Sequence, residues 1–472
     1  MEPTHPNFKI PTPPLRRSSS DLWFLSYLPL ALSDGLSTPL IPLLAIAHYG
    51  LTSKPFIVTA IIAASTVFEV PCMILWGNLS DRVRHRKWFL VGSFAATGAL
   101  LLLMSLPISI GNYFLLNLAE GIASAAGAPI GTVLLLETRT KRWWARDIGL
   151  FGLVSGVGAV LGLALGSVWF LLGATGTFSS DAAQLAMRYL IGFSGVLALA
   201  SAGMASAWVE EPHALVHRWE VGDEHLRANG VIERMRRTRR RVLHIVELTK
   251  GIPAQVPRGE YAFLAALLVM SVGFQIFYGP LPVFLTAPLF SGGAALSQQW
   301  IFLIYLSSAA TSTGLFYHSG LAVERSSPKG VFIVSLLARS ALIPVFVFVP
   351  LLLGGKLLAD SVALIALNGL MGVTWAFLST ASTLFLLRLA RGPARGKALG
   401  WYNALAGLGG LAGTLWGGLL YQEWGVRTAF LTAAVVILIG TLILVPIRYH
   451  PNPFEPVPPE ALGRRAGHKL GG

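Results

Sequence analysis

Charge is scarce in this chain. Only 12% of its 472 residues are Asp, Glu, Lys or Arg, about half the share of a water-soluble domain, while 54% are hydrophobic and the mean hydropathy is +0.64. Too few polar side chains remain to clothe a water-facing surface, which excludes an ordinary soluble globule. Cysteine is scarcer still. Cys72 stands alone, so no intrachain disulfide can form and thiol redox chemistry has no pair to work with. No His/Cys cluster has metal-ligand spacing, and no Gly-Lys-Ser/Thr loop is present to cradle phosphates, which argues against direct use of ATP. The stretch "GLGGLAG" at 407–413 sits inside an apolar run with no strand before it, so it is no dinucleotide site. The alternating pattern of a membrane β-barrel is missing too.

What the chain has is long apolar runs. Crossing a bilayer core takes about 20 such residues as helix. Twelve runs qualify, near 22–46, 55–79, 88–108, 112–136, 148–172, 188–209, 261–287, 299–323, 330–353, 358–386, 398–421 and 428–447. In lipid the backbone must satisfy its own hydrogen bonds, so each is predicted to be a helix. The fold class is all-α integral membrane. Residues 22–209 form one six-helix bundle, 210–260 a polar linker and 261–447 a second six-helix bundle. The first run is too long for a signal's apolar region and is expected to stay as a helix. The Pro-rich tails, 1–21 and 448–472, are predicted to be disordered.

Lysine and arginine set the orientation. With both termini on one side, all of the 36 except Lys54, Arg188, Lys356, Arg427 and Arg339 fall on that side. The positive-inside bias makes that side the cytoplasm and the cytoplasmic membrane the expected location. The net charge of +14 therefore needs no nucleic-acid partner. The linker's "ERMRRTRRR" at 233–241 is expected to meet anionic lipid headgroups of the bilayer instead.

The chain is written twice. Gly77-Asn-Leu-Ser-Asp81-Arg82 follows the second run, and Gly320-Leu-Ala-Val-Glu324-Arg325 follows the eighth. Gly149, Gly156, Gly158, Gly162 and Gly166 in the fifth run recur at identical spacing as Gly400, Gly407, Gly409, Gly413 and Gly417 in the eleventh. Glycine is common in membrane helices generally, but the acid-Arg match at the equivalent turn favours duplication. Glycines four apart share a face and let another backbone come close. The stripes Gly158–Gly162–Gly166 and Gly409–Gly413–Gly417 suggest gating helices that slide against partners, as in a transporter whose halves rock about a central site.

Charges deep in the runs are costly and mark function by default. Among the 22 acids, only Asp34, Glu69 and Glu120 fall well inside, all in the first half. A carboxyl driven between neutral and charged states as a cavity opens and closes can couple protons to substrate movement; each can also simply bridge two helices. In the second half, Gln275, Tyr278, Tyr305, Asn368, Trp375, Tyr402 and Asn403 are candidates to line a pocket or to pack between helices. Gly279-Pro280 in "FYGPLP" should break the seventh helix.

The run Gly77-Asn-Leu-Ser-Asp81-Arg82-Val-Arg84-His-Arg86-Lys87 resembles the signature turn between helices 2 and 3 of the major facilitator superfamily, with Arg84 where the family has glycine. Leu32 with Pro39-Leu40-Ile41-Pro42 resembles the first helix of the twelve-helix drug:proton antiporter branch. The resemblance implies that Asp81 latches the outward-open state near Arg395 and Lys397. It also implies that Arg82, Glu137 and Arg146 share its charge network. Helices 1 and 4 would line the cavity, which favours Asp34 and Glu120. Asn117 and Glu120 occupy a functional stretch where the family has Arg and Gln. Helix 9 would lie outside the cavity, making Arg339 a snorkelling or structurally bonded residue. The antiporter pattern has proline where Leu163 stands.

The implied protein is not an enzyme but a monomeric secondary transporter. It would export a small organic solute by alternating access, with the proton gradient and no cofactor as its energy source. Alternatives are a proton-coupled uptake symporter for a sugar or organic acid, an enzyme on lipid-linked substrates, and a transporter-like sensor.

Overall fold

The computed structural model describes residues 23–83, 85–138, 144–173, 180–209, 258–288, 296–354, 356–389 and 394–447, and every regular element among them is helical. The linker, the two tails and the turns at 139–143 and 390–393 lie outside the described residues. In chain order the helices are α1 (Tyr27–Tyr49), α2 (Pro55–Val67), α3 (Glu69–Val83), α4 (Arg86–Met104), α5 (Ile110–Ser124), α6 (Gly127–Thr138), α7 (Trp144–Gly173) and α8 (Asp181–Trp208). After the linker come α9 (Arg258–Tyr278), α10 (Leu281–Thr286), α11 (Gln298–Arg325), α12 (Pro328–Leu352), α13 (Leu357–Leu389) and α14 (Ala394–Leu444).

Eleven helical stretches are long and apolar enough to cross a membrane, and the last of them spans 47 residues, Ala398–Leu444. At 1.5 Å per residue that is about 70 Å, twice a bilayer core. Gly425 divides it, with φ 82° and ψ 169°, a conformation open to glycine and strained for other residues. Divided there, the described residues hold twelve helical stretches long enough to cross, the last two joined at one glycine.

Three predicted spans are broken. The second bends at Phe68 between α2 and α3, and the fourth at Ala125-Ala126 between α5 and α6. The seventh breaks at Gly279-Pro280, as the sequence indicates. A break inside lipid frees backbone carbonyls that must find other donors. Around Ala125-Ala126 they do. The Trp76 indole N–H donates to the Ile122 carbonyl at 2.8 Å, the Ser93 hydroxyl to Ala123 at 2.7 Å and the Tyr27 hydroxyl to Gly127 at 2.8 Å.

The two halves are built alike. In the first, α1 packs on α7, α2 on α5 and α4 on α8; in the second, α9 packs on α14, α11 on α13 and α12 on α14. The halves meet where α7 lies on α11 and where α2 lies on α14. The correspondence holds to single atoms. A methyl group added at Gly158 would sit 2.9 Å from the Leu28 carbonyl oxygen, and one at Gly409 would sit 2.8 Å from that of Leu268. Gly162 lies on the Leu32 carbonyl as Gly413 lies on that of Val272. Gly121 and Gly372, equivalent positions, press on the backbones of Ser65 and Ser308.

Candidate functional site: a cavity between the halves

The interval that carries Leu32 onto Val272 also carries Asp34 onto Phe274, Gly35 onto Gln275 and Thr38 onto Tyr278. All six line one cavity of about 480 Å³ between the bundles. The first half gives it a nearly smooth wall, with Ala159 and Leu163 of α7 beside Asp34, Gly35 and Thr38 of α1. The second half gives it large side chains: Gln275, Tyr278, Tyr305, Asn368 and Trp375. These are five of the seven residues expected there. The other two lie elsewhere. Tyr402 shares a hydrogen bond with Ser382 at 3.0 Å and stacks on Phe263, while Asn403 is exposed and does not line this cavity.

Asp34 is surrounded by protein yet exposed to the cavity. Its own carbonyl accepts from the Thr38 hydroxyl at 2.7 Å, which fastens the helix turn between Asp34 and the downstream prolines Pro39 and Pro42. Among the described residues no Lys, Arg or His pairs with its carboxyl. It also lines a second cavity of about 230 Å³ inside the first half, walled by Tyr27, Phe94, Ser124 and Ser155 among others. Asp34 and Ala159 thus form the wall common to both. Glu120 lies within Coulombic reach of Asp34 and Glu69, with Ser124 beside it, so the three predicted acids form one group. Glu69 and Glu120 are half-buried and line neither cavity. Asn117 is buried and lines neither; its amide donates to the Ile61 carbonyl at 2.5 Å.

Two charged residues depart from expectation. Arg339, placed by the sequence outside the cavity, is part of its wall. It does not snorkel: it is 1% exposed, reaching inward from α12 between α9 and α13. Its Nη2 donates to the Tyr278 hydroxyl at 2.9 Å and to the Met371 carbonyl at 3.1 Å. The long side chain is the reason: a helix outside the cavity can still deliver a guanidinium past its neighbours. Asp360 is the second. The sequence leaves no carboxylate deep in the second half, yet Asp360, in the first turn of α13, is 0% exposed and neither carboxyl oxygen has a hydrogen-bond partner. Its place near a predicted helix end hid it.

The glycine stripes form seams within each half. Gly158 and Gly162 face α1, and Gly409, Gly413 and Gly417 face α9; Gly166 meets Phe302 of the opposite half. Beside it the Ser167 hydroxyl donates to the Gln299 carbonyl at 3.5 Å, and the Phe170 and Phe302 rings lie 5.6 Å apart. Across the near-mirror seam, Gly418 presses on Thr59. Of the signature turn, Arg86 is half-buried at the start of α4, and Glu324 and Arg325 are exposed at the end of α11, which also holds Gly320. The side chains of Asp81, Arg82, Glu137, Arg146, Arg395 and Lys397, and the surroundings of Gly77, lie outside the described residues.

A family model, Major Facilitator Superfamily, matches residues 23–352 and 292–467. The chain belongs to the Major Facilitator Superfamily. Solved members of this fold superpose over most of their length. The nucleoside transporter NupG does so with TM-score 0.65 at 16% identity, covering 92% of this chain and 100% of that one. The xylose transporter XylE from E. coli, in an inward-open conformation, gives 0.64 at 11% identity, with 93% and 98% covered. The peptide transporter POT in complex with sulfate gives 0.63 at 14% identity, with 90% and 94% covered. At these identities the likeness establishes the fold. No curated protein matches the chain.

Proposed function

We infer that this superfamily member is a secondary transporter that exports a small organic solute in exchange for protons, by rocking of its two halves about the cavity. The observation that carries the reading is Asp34, a carboxylate in the middle of a membrane helix, open to the cavity and without a described cationic partner. An acid so placed is costly unless water, a proton or a substrate reaches it. Glu120 and Glu69, grouped with it, extend the proton-handling set into the first half. The textured wall of the second half supplies substrate contacts. The resemblance of Leu32 with Pro39-Leu40-Ile41-Pro42 to the first helix of the drug:proton antiporter branch favours export over uptake. Both termini and the linker face the cytoplasm by their Lys and Arg content, the working unit is the single chain, and the Asp81 turn is a latch that opens and closes with each cycle.

Everted membrane vesicles test this. An imposed pH gradient, followed with a weak-base fluorescent dye, should collapse when a transported solute is added to vesicles holding this protein and not to empty ones. A panel of solutes in which transport proceeds at a rate independent of the gradient would overturn the coupling.

A further inference from the structure

Arg339 is a buried cation with three of its five N–H donors unmade. Nη2 is satisfied, but Nε and Nη1 are shielded from water and have no acceptor. Three aromatic rings surround the guanidinium carbon, Phe274 at 5.1 Å, Trp375 at 5.2 Å and Tyr278 at 5.5 Å. Rings attract a cation through their faces, yet they offer no lone pair to an N–H, and an unmade buried donor is a direct cost. Among the described residues no carboxylate lies within ion-pair distance. Nearby in the same wall, the Asn368 side-chain oxygen is also buried without a donor, while its amide is held by the Ile304 carbonyl at 2.6 Å. The cavity wall thus contains two incompletely satisfied polar groups, Arg339 and Asn368.

We propose that Arg339 is the anchor of a substrate carboxylate, and that the solute is a monoanionic organic acid with an aromatic or apolar body. A guanidinium's planar fork matches the two oxygens of a carboxylate. In this arrangement Nε and Nη1 are covered; a guanidinium turned toward the cavity that Arg339 already lines would offer a carboxylate one edge of its fork and have its charge neutralised. The rings and the mostly apolar lining accept the body. Asp34 in the same cavity limits the charge: a dianion would face it with only one cation in compensation. This deepens the transport reading and rests on it for the word substrate, although binding itself does not need transport.

The test is binding to the purified full-length protein in detergent, read by calorimetry and by quenching of tryptophan fluorescence, since Trp375 lies against the guanidinium. The probes are benzoate and 2-naphthoate, the neutral benzamide and 2-naphthamide, and the dianionic phenyl phosphate. The carboxylates should bind at least about tenfold more tightly than their amides, the margin of a charge-assisted hydrogen bond, and more tightly than phenyl phosphate. Arg339→Lys should lower carboxylate affinity by a similar factor while the amides are unaffected. If that variant fails to fold, the comparison of acids and amides on the native protein decides alone. Equal binding of acid and amide, preference for phenyl phosphate, or no saturable binding of either carboxylate would overturn the proposal. Acid-selective binding without any flux in vesicles would leave the anion site standing and sink the transport reading. Gradient-driven flux of a neutral solute with no acid binding would do the reverse.

Discussion

Asn117 and Asn368 do one job twice. Each sits buried on the fourth helix of its half and donates its amide to a carbonyl on the second, Ile61 at 2.5 Å and Ile304 at 2.6 Å. The interval between the two asparagines is the one that carries Gly158 onto Gly409, and the interval between the two isoleucines is the one that carries Gly77 onto Gly320. A pin conserved between the halves at atomic detail is a packing element first. Asn117→Ala and Asn368→Ala should each destabilise the protein by about 0.6–2 kcal/mol, the range of an interhelical bond in lipid. The check is the unfolding midpoint in nanodiscs. Because Asn117 lines neither cavity, its variant should keep gradient-dependent flux, while the Asn368 variant should also alter substrate affinity.

The seams predict a sharp contrast among glycines of one sequence stripe. Gly162 and Gly413 lie on backbone carbonyls that cannot yield, whereas Gly149 and Gly400 have nothing within 4 Å of an added methyl group. Gly162→Val and Gly413→Val should abolish monodisperse protein in size-exclusion chromatography of a fluorescent fusion. Gly149→Ala and Gly400→Ala should elute as the parent does.

Alternating access requires the seam between Thr59 and Gly418 to part. Cysteines at both positions, with Cys72 replaced by Ala, should oxidise to a disulfide, because a Cβ added at Gly418 would fall 2.8 Å from the Cβ of Thr59. Flux should stop on oxidation and return with reductant. Undiminished flux in the cross-linked protein would show that the halves do not separate at this seam.

Asp34→Asn keeps the shape of the side chain and removes its proton. Solute movement in vesicles should cease to respond to an imposed pH gradient, with the unfolding midpoint close to that of the parent. A variant that still couples would take Asp34 out of the proton path.

The broken fourth span offers a stability test away from the cavity between the halves. Ser93→Ala and Trp76→Phe each strip one donor from the carbonyls around Ala125-Ala126. Each should cost about 1–2 kcal/mol, the penalty of an unsatisfied buried acceptor, read again from the unfolding midpoint.

Much of this was written in the sequence. The repeat was legible because close backbone approach leaves glycine at fixed spacing, and Asp34 stood out because an acid in an apolar run has few physical excuses. Five of the second-half wall residues were found because polar and aromatic side chains in a span have few other places to go. What the sequence misplaced or passed over depended on reach and on depth. Arg339 belongs to an outer helix, and only its length brings it inward. Asp360 lies near a helix end where the sequence cannot tell water from protein. The breaks at Phe68 and Ala125-Ala126 each precede a proline, Pro71 and Pro129, whose missing N–H leaves the carbonyls of Val67 and Ala125 without a helical partner, a signal the sequence reading passed over. At the fourth span a second, indirect signature lies in the donors Trp76 and Ser93 on neighbouring helices.

The unequal walls of the cavity carry a lesson about ancestry. Two copies of one bundle began with the same inventory at matched positions, and at three of them one copy now bears Asp, Gly and Thr where the other bears Phe, Gln and Tyr. A lineage adapting to a new compound would need to change only a handful of codons in the later copy, leaving the earlier copy's acid untouched.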